Sequence, residues 1–210
     1  MEFDAIARFL QDVGNEDTDD AGLAERGLAW VARRMSIEVL AAPSPRELME
    51  MKTWCSGTGK RWAERRTSLR TDGGGRIEAA AVWVHLDPVS GRPAPWGDEF
   101  ASSYLEAAGD RRVDVKLRHA KSAPEGDGTP WRFRATDMDA FGHVNNAAYL
   151  AIAEEFFDIA LPCRVEIEWR SPCRAEETLT VRHGSIDKGE QVWVVGPDDT
   201  LRATIVRFGL

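Results

Sequence analysis

Between Asp137 and Tyr149 the sequence reads DMDAFGHVNNAAY, and here residue types and spacing could do chemistry. Asp139 stands four residues before His143, so a carboxylate and an imidazole share one short polar loop. Gly142 beside them lets a backbone approach closely. Asn145 and Asn146 follow, where the loop gives way to an apolar helix. A helix N-terminus offers N–H groups without intrahelical partners and the positive end of a dipole. A base or nucleophile next to donors able to hold a developing oxyanion is what hydrolysis at a carbonyl carbon requires. The plainer alternative is a helix-capping Asp and a His satisfied by backbone groups. A carboxylate, a Gly, a His and two Asn at one helix start rarely coincide by chance, and the chemical reading is preferred.

The elements that must position this loop follow from periodicity. From Val144 to about Ala160, Tyr149, Ile152, Phe156 and Ile159 recur at spacings of three and four, with Leu150, Ala153 and Phe157 beside them, which predicts a largely buried helix. Trp131 to Arg134 reads as a short strand before it. Arg164 to Arg170, Thr178 to Ser185, Gln191 to Val195 and Leu201 to Phe208 read as strands after it. The N-terminal side repeats the plan. Ile6, Phe9, Leu10 and Val13 mark a helix, then Leu28 to Leu40, Lys60 to Leu69 and Arg76 to Leu86 read as strands, with TDGGG at Thr71 to Gly75 as a hairpin turn. The Pro- and Gly-rich KSAPEGDGTP divides the chain into residues 1–120, a linker at 121–130, and residues 131–210. Each half is thus expected to wrap antiparallel strands around one helix, an α+β plan duplicated within the chain. The copy is imperfect, because the N-terminal half begins almost at its helix and lacks a counterpart of the first strand.

Asp137 to Tyr149 matches the DxDxxGHVNNxxY pattern of hotdog thioesterases. TWCSGTGKRWAERRTSL, from Thr53 to Leu69, and EWRSPCR, from Glu168 to Arg174, extend the likeness over most of the chain, which resembles the bacterial acyl-ACP thioesterases. That resemblance implies a tandem (double) hotdog fold, a long antiparallel sheet with a central helix per repeat. It implies an N-terminal hotdog that shapes the acyl pocket and a C-terminal one that holds a single site. It makes Asp139 the general base or nucleophile of thioester hydrolysis, His143 the group that orients water or the carboxylate, and the helix N-terminus the oxyanion donor. Asn145 and Asn146 would hold the loop and cap the helix, and Tyr149 and Glu155 would support it. No metal or organic cofactor is implied. Two positions depart from the plant members' pattern: Phe141 replaces an Asn, and Pro172-Cys173 replaces a Glu-Cys pair. Cys173 is therefore either a catalytic thiol or a small buried hydrophobe.

Composition bounds the partners. The 210 residues are 43% hydrophobic and carry a net charge of −8, which argues against a nucleic-acid binder. No apolar run approaches the roughly 18 residues of a membrane span, and Met1 to Asp4 do not open a signal or transit peptide. Cys55, Cys163 and Cys173 form no CxxC pair, as suits free thiols in a reducing compartment, and the expected location is cytoplasmic. Lys60, Arg61, Arg65 and Arg66, with Arg111, Arg112, Lys116, Arg118 and Lys121 as a second group, read either as solvated strand edges or as a docking surface for the acidic acyl carrier protein and its phosphopantetheine. Trp54, Trp62 and Trp83 are read as core before ligand contacts, although an acyl cavity must be lined by residues of this kind, and His85, His119 and His183 as structural or exposed. Rival readings are an acyl-CoA thioesterase and a non-catalytic acyl-binding hotdog. The DxNPxH pattern of hotdog dehydratases is absent. A monomer and a homodimer both fit.

Overall fold

The computed structural model describes residues 2–23, 29–140 and 142–210. Phe141 and Leu28, named above, lie outside the described residues. The chain divides into two compact units, one spanning Arg8–Leu117 and one comprising Arg118–Leu210 with the residues up to Ala7.

In the N-terminal unit, α1 (Phe3–Asp20) is followed by β1 (Ala29–Ala41), β2 (Met49–Thr58), β3 (Trp62–Thr71) and β4 (Arg76–Leu86), then by α2 (Asp98–Ala108). The strands form an antiparallel sheet in the order β2-β3-β4-β1. Alternation sends Met35, Ile37 and Val39 of β1 to the buried side. The TDGGG turn closes with the Thr71 N–H donating to the Gly75 carbonyl, and Gly74 takes φ +96°, which glycine adopts without steric cost. Two elements stand apart from the expectations. β2 carries little alternation and breaks register between Cys55 and Gly57. α2 buries Phe100, Tyr104 and Ala108, a narrow stripe at four-residue spacing. Phe9, expected on the buried face of α1, is 59% exposed.

In the C-terminal unit, β5 (Thr129–Trp131) and two 3-10 turns, Ala135–Asp137 and Asn146–Tyr149, precede α3 (Leu150–Phe156). β6 (Cys163–Trp169), β7 (Leu179–Ile186), β8 (Gly189–Val195) and β9 (Leu201–Gly209) complete an antiparallel sheet in the order β6-β9-β8-β7-β5. Val165, Ile167, Leu179, Val181, Val192, Val194 and Ile205 are buried together with Tyr149, Leu150, Ile152 and Ala153. The helix is shorter than its apolar stripe. It opens as a 3-10 turn at Asn146, because Asn145 caps there, and ends at Phe156, because Phe157 is extended at φ −107°, ψ 136°. The first residues of α1 group with this unit, and the Phe3 N–H donates to the Glu154 carboxylate.

Candidate active site

The motif loop is built by its own hydrogen bonds. Asp137 is buried and anchors it: its carboxylate accepts from the Arg134 N–H at 2.8 Å and from the Arg134 guanidinium at 3.1 Å. Its carbonyl accepts from the Asn145 N–H at 2.8 Å. Between these anchors the chain turns back on itself. The Asp139 N–H donates to the His143 carbonyl at 2.7 Å, and the Gly142 N–H donates to the Asp139 carbonyl at 3.1 Å. That turn requires φ +76° at Gly142, and nothing lies within 4 Å of where a Cβ would stand, so glycine is needed there for conformation and not for space. The His143 N–H in turn donates to Asp139 Oδ1 at 2.9 Å, which fixes the carboxylate on the half-buried rim of the loop.

The same bonds decide which donors remain for an oxyanion. Val144 N–H is taken by the Cys173 carbonyl, Asn145 N–H by Asp137, and Ala147 N–H by the Asn145 side chain at 2.9 Å. Among the described residues no acceptor takes the Asn146 N–H, which leaves it as the donor at this helix start. Asn145 is a capping residue by geometry.

Cys173 meets the loop at Val144 through its backbone carbonyl. Its side chain is fully buried and hydrogen-bonded with the Tyr149 side chain. Burial pushes the thiol up to about 11, although the bond to Tyr149 works the other way. At neutral pH it is a protonated thiol, and a thiol is a poor nucleophile. The Tyr149 hydroxyl is likewise pushed up by burial. Glu155 is exposed on α3. Among the described residues no group of three or more His, Cys, Asp or Glu side chains gathers as metal ligands would, and no helix is long and apolar enough to cross a membrane.

The four basic residues of the Lys60–Arg66 stretch do not form one surface. Lys60 and Arg61 are exposed at the turn between β2 and β3. Arg66 is half-exposed on the outer face of β3 and meets Glu64 at 3.2 Å. Arg65 points to the other face, as strand alternation requires, and pairs with Asp17 of α1 at 2.7 Å. Arg111 and Arg112 join the exposed group instead. Thr58 N–H donates to the Arg111 carbonyl and Val113 N–H to the Thr58 carbonyl, which lays this segment along the end of β2. Arg111 also pairs with the buried Glu64 at 2.6 Å. Burial alone would push the Glu64 carboxyl up; hydrogen bonds from Arg111 and Ser56 outweigh it and hold the group below its ordinary range.

The N-terminal unit holds a partly open cavity of about 270 Å³ between α1, α2 and the sheet. It exists because facing positions are small: Ala63 on β3, Ala79 and Ala81 on β4, and Gly14 on α1. Trp30, Met35, Trp83 and Phe100 are among the large apolar side chains that line it.

Family models for the acyl-ACP thioesterase N-terminal domain and C-terminal domain match residues 1–104 and 120–199. The chain belongs to the acyl-ACP thioesterase family. An uncharacterized Mycobacterium tuberculosis protein is 32% identical over 216 residues, covering 99% of this chain and 84% of that protein. A chloroplastic acyl-[acyl-carrier-protein] hydrolase of Cuphea viscosissima is 29% identical over 173 residues, 75% of this chain and 41% of the plant protein, so the chain spans less than half of that relative. The crystal structure of an acyl-ACP thioesterase from Bacteroides thetaiotaomicron superposes with a TM-score of 0.83 at 17% identity, covering 99% of this chain and 89% of the other, which establishes the fold.

Within this acyl-ACP thioesterase two sets of residues escaped the sequence reading. Asp137 is the loop's anchor, and its signal was the preceding Arg134, placed to form a 3-10 turn with it. The cavity's signal was the run Ala79-Ala80-Ala81 in a strand, where β-branched residues would be expected if the sheet face were filled.

Proposed function

We propose that this member of the acyl-ACP thioesterase family hydrolyses fatty acyl-[acyl carrier protein] to free fatty acid and the carrier's thiol in fatty acid biosynthesis, with Asp139 as general base. One observation carries the reading: the Asp139 carboxylate is oriented by the His143 N–H in a loop whose geometry Gly142 and Asp137 enforce. Asp139 takes a proton from water, whose oxygen attacks the thioester carbon; the Asn146 N–H holds the oxyanion. The C–S bond then breaks, and the proton passes to the departing thiolate. His143 positions the water or the carboxylate. Asn145 holds the helix start, and Cys173 is a core thiol that ties its strand connection to the loop.

The cavity of the N-terminal unit takes the acyl chain, as its apolar lining suits. Lys60, Arg61, Arg66 and Arg112 form the surface for the acidic carrier, while Arg65 serves the cavity. Three buried free cysteines suit the cytoplasm. One chain is proposed to be sufficient for activity, whether it works as a monomer or a homodimer. The test is thiol release from acyl-ACP and matched acyl-CoA substrates. Faster release from acyl-ACP supports the reading, faster release from acyl-CoA moves the protein to coenzyme A chemistry, and tight acyl binding without release makes it a binding protein.

A further inference from the structure

The cavity of the N-terminal unit contains a group that an alkyl chain alone does not call for. Arg65 lines it with a side chain only 17% exposed. Its Nη2 meets Asp17 Oδ2 at 2.7 Å, and its Nη1 donates to Thr53 Oγ1 at 3.2 Å. The Tyr104 hydroxyl donates to the same Asp17 oxygen at 2.7 Å, and the guanidinium lies 5.6 Å from the centre of the Tyr104 ring. Arg65 packs against α1 at Gly14, its Cδ and Nε 3.7 Å from where a Cβ there would stand, an ordinary contact distance. Gln11, Asn15, Thr18 and Thr67 add polar atoms to the lining.

A plain alkyl chain pressed against such a cluster would strip water from an ion pair and return nothing, which is unfavourable. A chain that carries an oxygen returns a hydrogen bond. A guanidinium has five N–H donors, and among the described residues Asp17 and Thr53 engage two of its nitrogens. Resting on the reading of this cavity as the acyl site, we infer that it selects acyl chains bearing a hydroxyl or oxo group away from the thioester, recognised by Arg65 with Tyr104 and Asp17.

Binding tests this without relying on hydrolysis. Wild-type protein is titrated by calorimetry with decanoate, 10-hydroxydecanoate and 9-oxodecanoate. At least one oxygenated acid is expected to bind roughly 10-fold tighter than decanoate, as a hydrogen bond to a charged donor would give. In a folded Arg65→Met, Asp17→Asn double variant that ratio is expected to fall to about 1 as the charged donor is lost. Equal or weaker binding of both oxygenated acids by the wild type overturns the inference, as does a preference that survives in the folded double variant. Should the double variant not fold, the wild-type ratio decides alone. The preferred chain is then offered as its acyl-ACP: absence of thiol release with the binding preference intact would sink the hydrolase reading and leave the inference standing.

Discussion

In the C-terminal unit the chain reaches its helix through a loop in which the Asp139, Gly142, His143, Val144 and Asn145 N–H groups are engaged within the loop or by Cys173. In the N-terminal unit the helix instead lies over a sheet whose side chains are too small to fill the space, and a cavity opens. Both units place a helix beside an antiparallel sheet, yet one is laced with hydrogen bonds where the other is hollow. The difference teaches how a duplicated plan divides labour. Chemistry needs a carboxylate held to a fraction of an ångström, which interlocking hydrogen bonds provide. Accommodation of a chain needs missing atoms, which alanine and glycine provide.

Among changes that leave Asp139 in place, the largest effect is expected from charge at the carrier surface. Lys60→Glu with Arg61→Glu should lower kcat/KM for acyl-ACP roughly 10- to 100-fold at low salt, with a smaller change for acyl-CoA, since steering acts on the charged carrier. Equal losses on both substrates would show that these residues serve the fold and not docking. The cavity is challenged next. Ala81→Trp should reduce the ratio of long- to short-chain kcat/KM about 10-fold or more, as pockets discriminate by a factor of that order per methylene. An unchanged ratio would place the acyl chain elsewhere.

The loop's backbone geometry and the buried groups predict smaller effects, on stability and reactivity. Gly142→Ala meets no steric obstacle but must hold φ +76°, so it should cost about 1 kcal/mol, read as a lower denaturation midpoint. Native Cys173, a thiol with its pKa near 11, should resist iodoacetamide at pH 7.5 and react once the protein is unfolded; rapid native labelling would reopen a nucleophilic role. Glu64 gives the smallest and most pH-specific effect. Its folded pKa lies below its ordinary 4.5, so its contribution is present above 4.5 and fades as pH falls through the folded value. Glu64→Gln should therefore be less stable than the wild type at pH 7 by thermal unfolding, and the two curves should converge in acid.

The sequence revealed more of the loop than of the cavity, for a physical reason. Asp139, Gly142, His143 and Asn145 are contiguous, and their geometry is set by bonds over two to four residues, so a local motif suffices to find them. Arg65, Asp17 and Tyr104 come from β3, α1 and α2 and meet only after folding. Strand alternation separates Arg65 from Arg66, yet in the sequence the two read as one basic cluster. β2 was hidden by its weak alternation, and α2 by a stripe only one residue wide per turn. The strands β4, β6, β7, β8 and β9, with alternating or continuous apolar residues, were legible to within a residue or two.

The most direct test of the central claim is single-turnover release of fatty acid from acyl-ACP by the wild type and by Asp139→Asn. The amide keeps an oxygen to accept the His143 N–H, so the loop should persist and the melting temperature should stay within about 3 °C, the usual effect of a sub-kilocalorie change. With the base gone, the rate should fall at least roughly 100-fold, the lower range for a positioned general base. A folded Asp139→Asn protein that releases fatty acid at the wild-type rate would contradict the assignment and move the chemistry away from this loop.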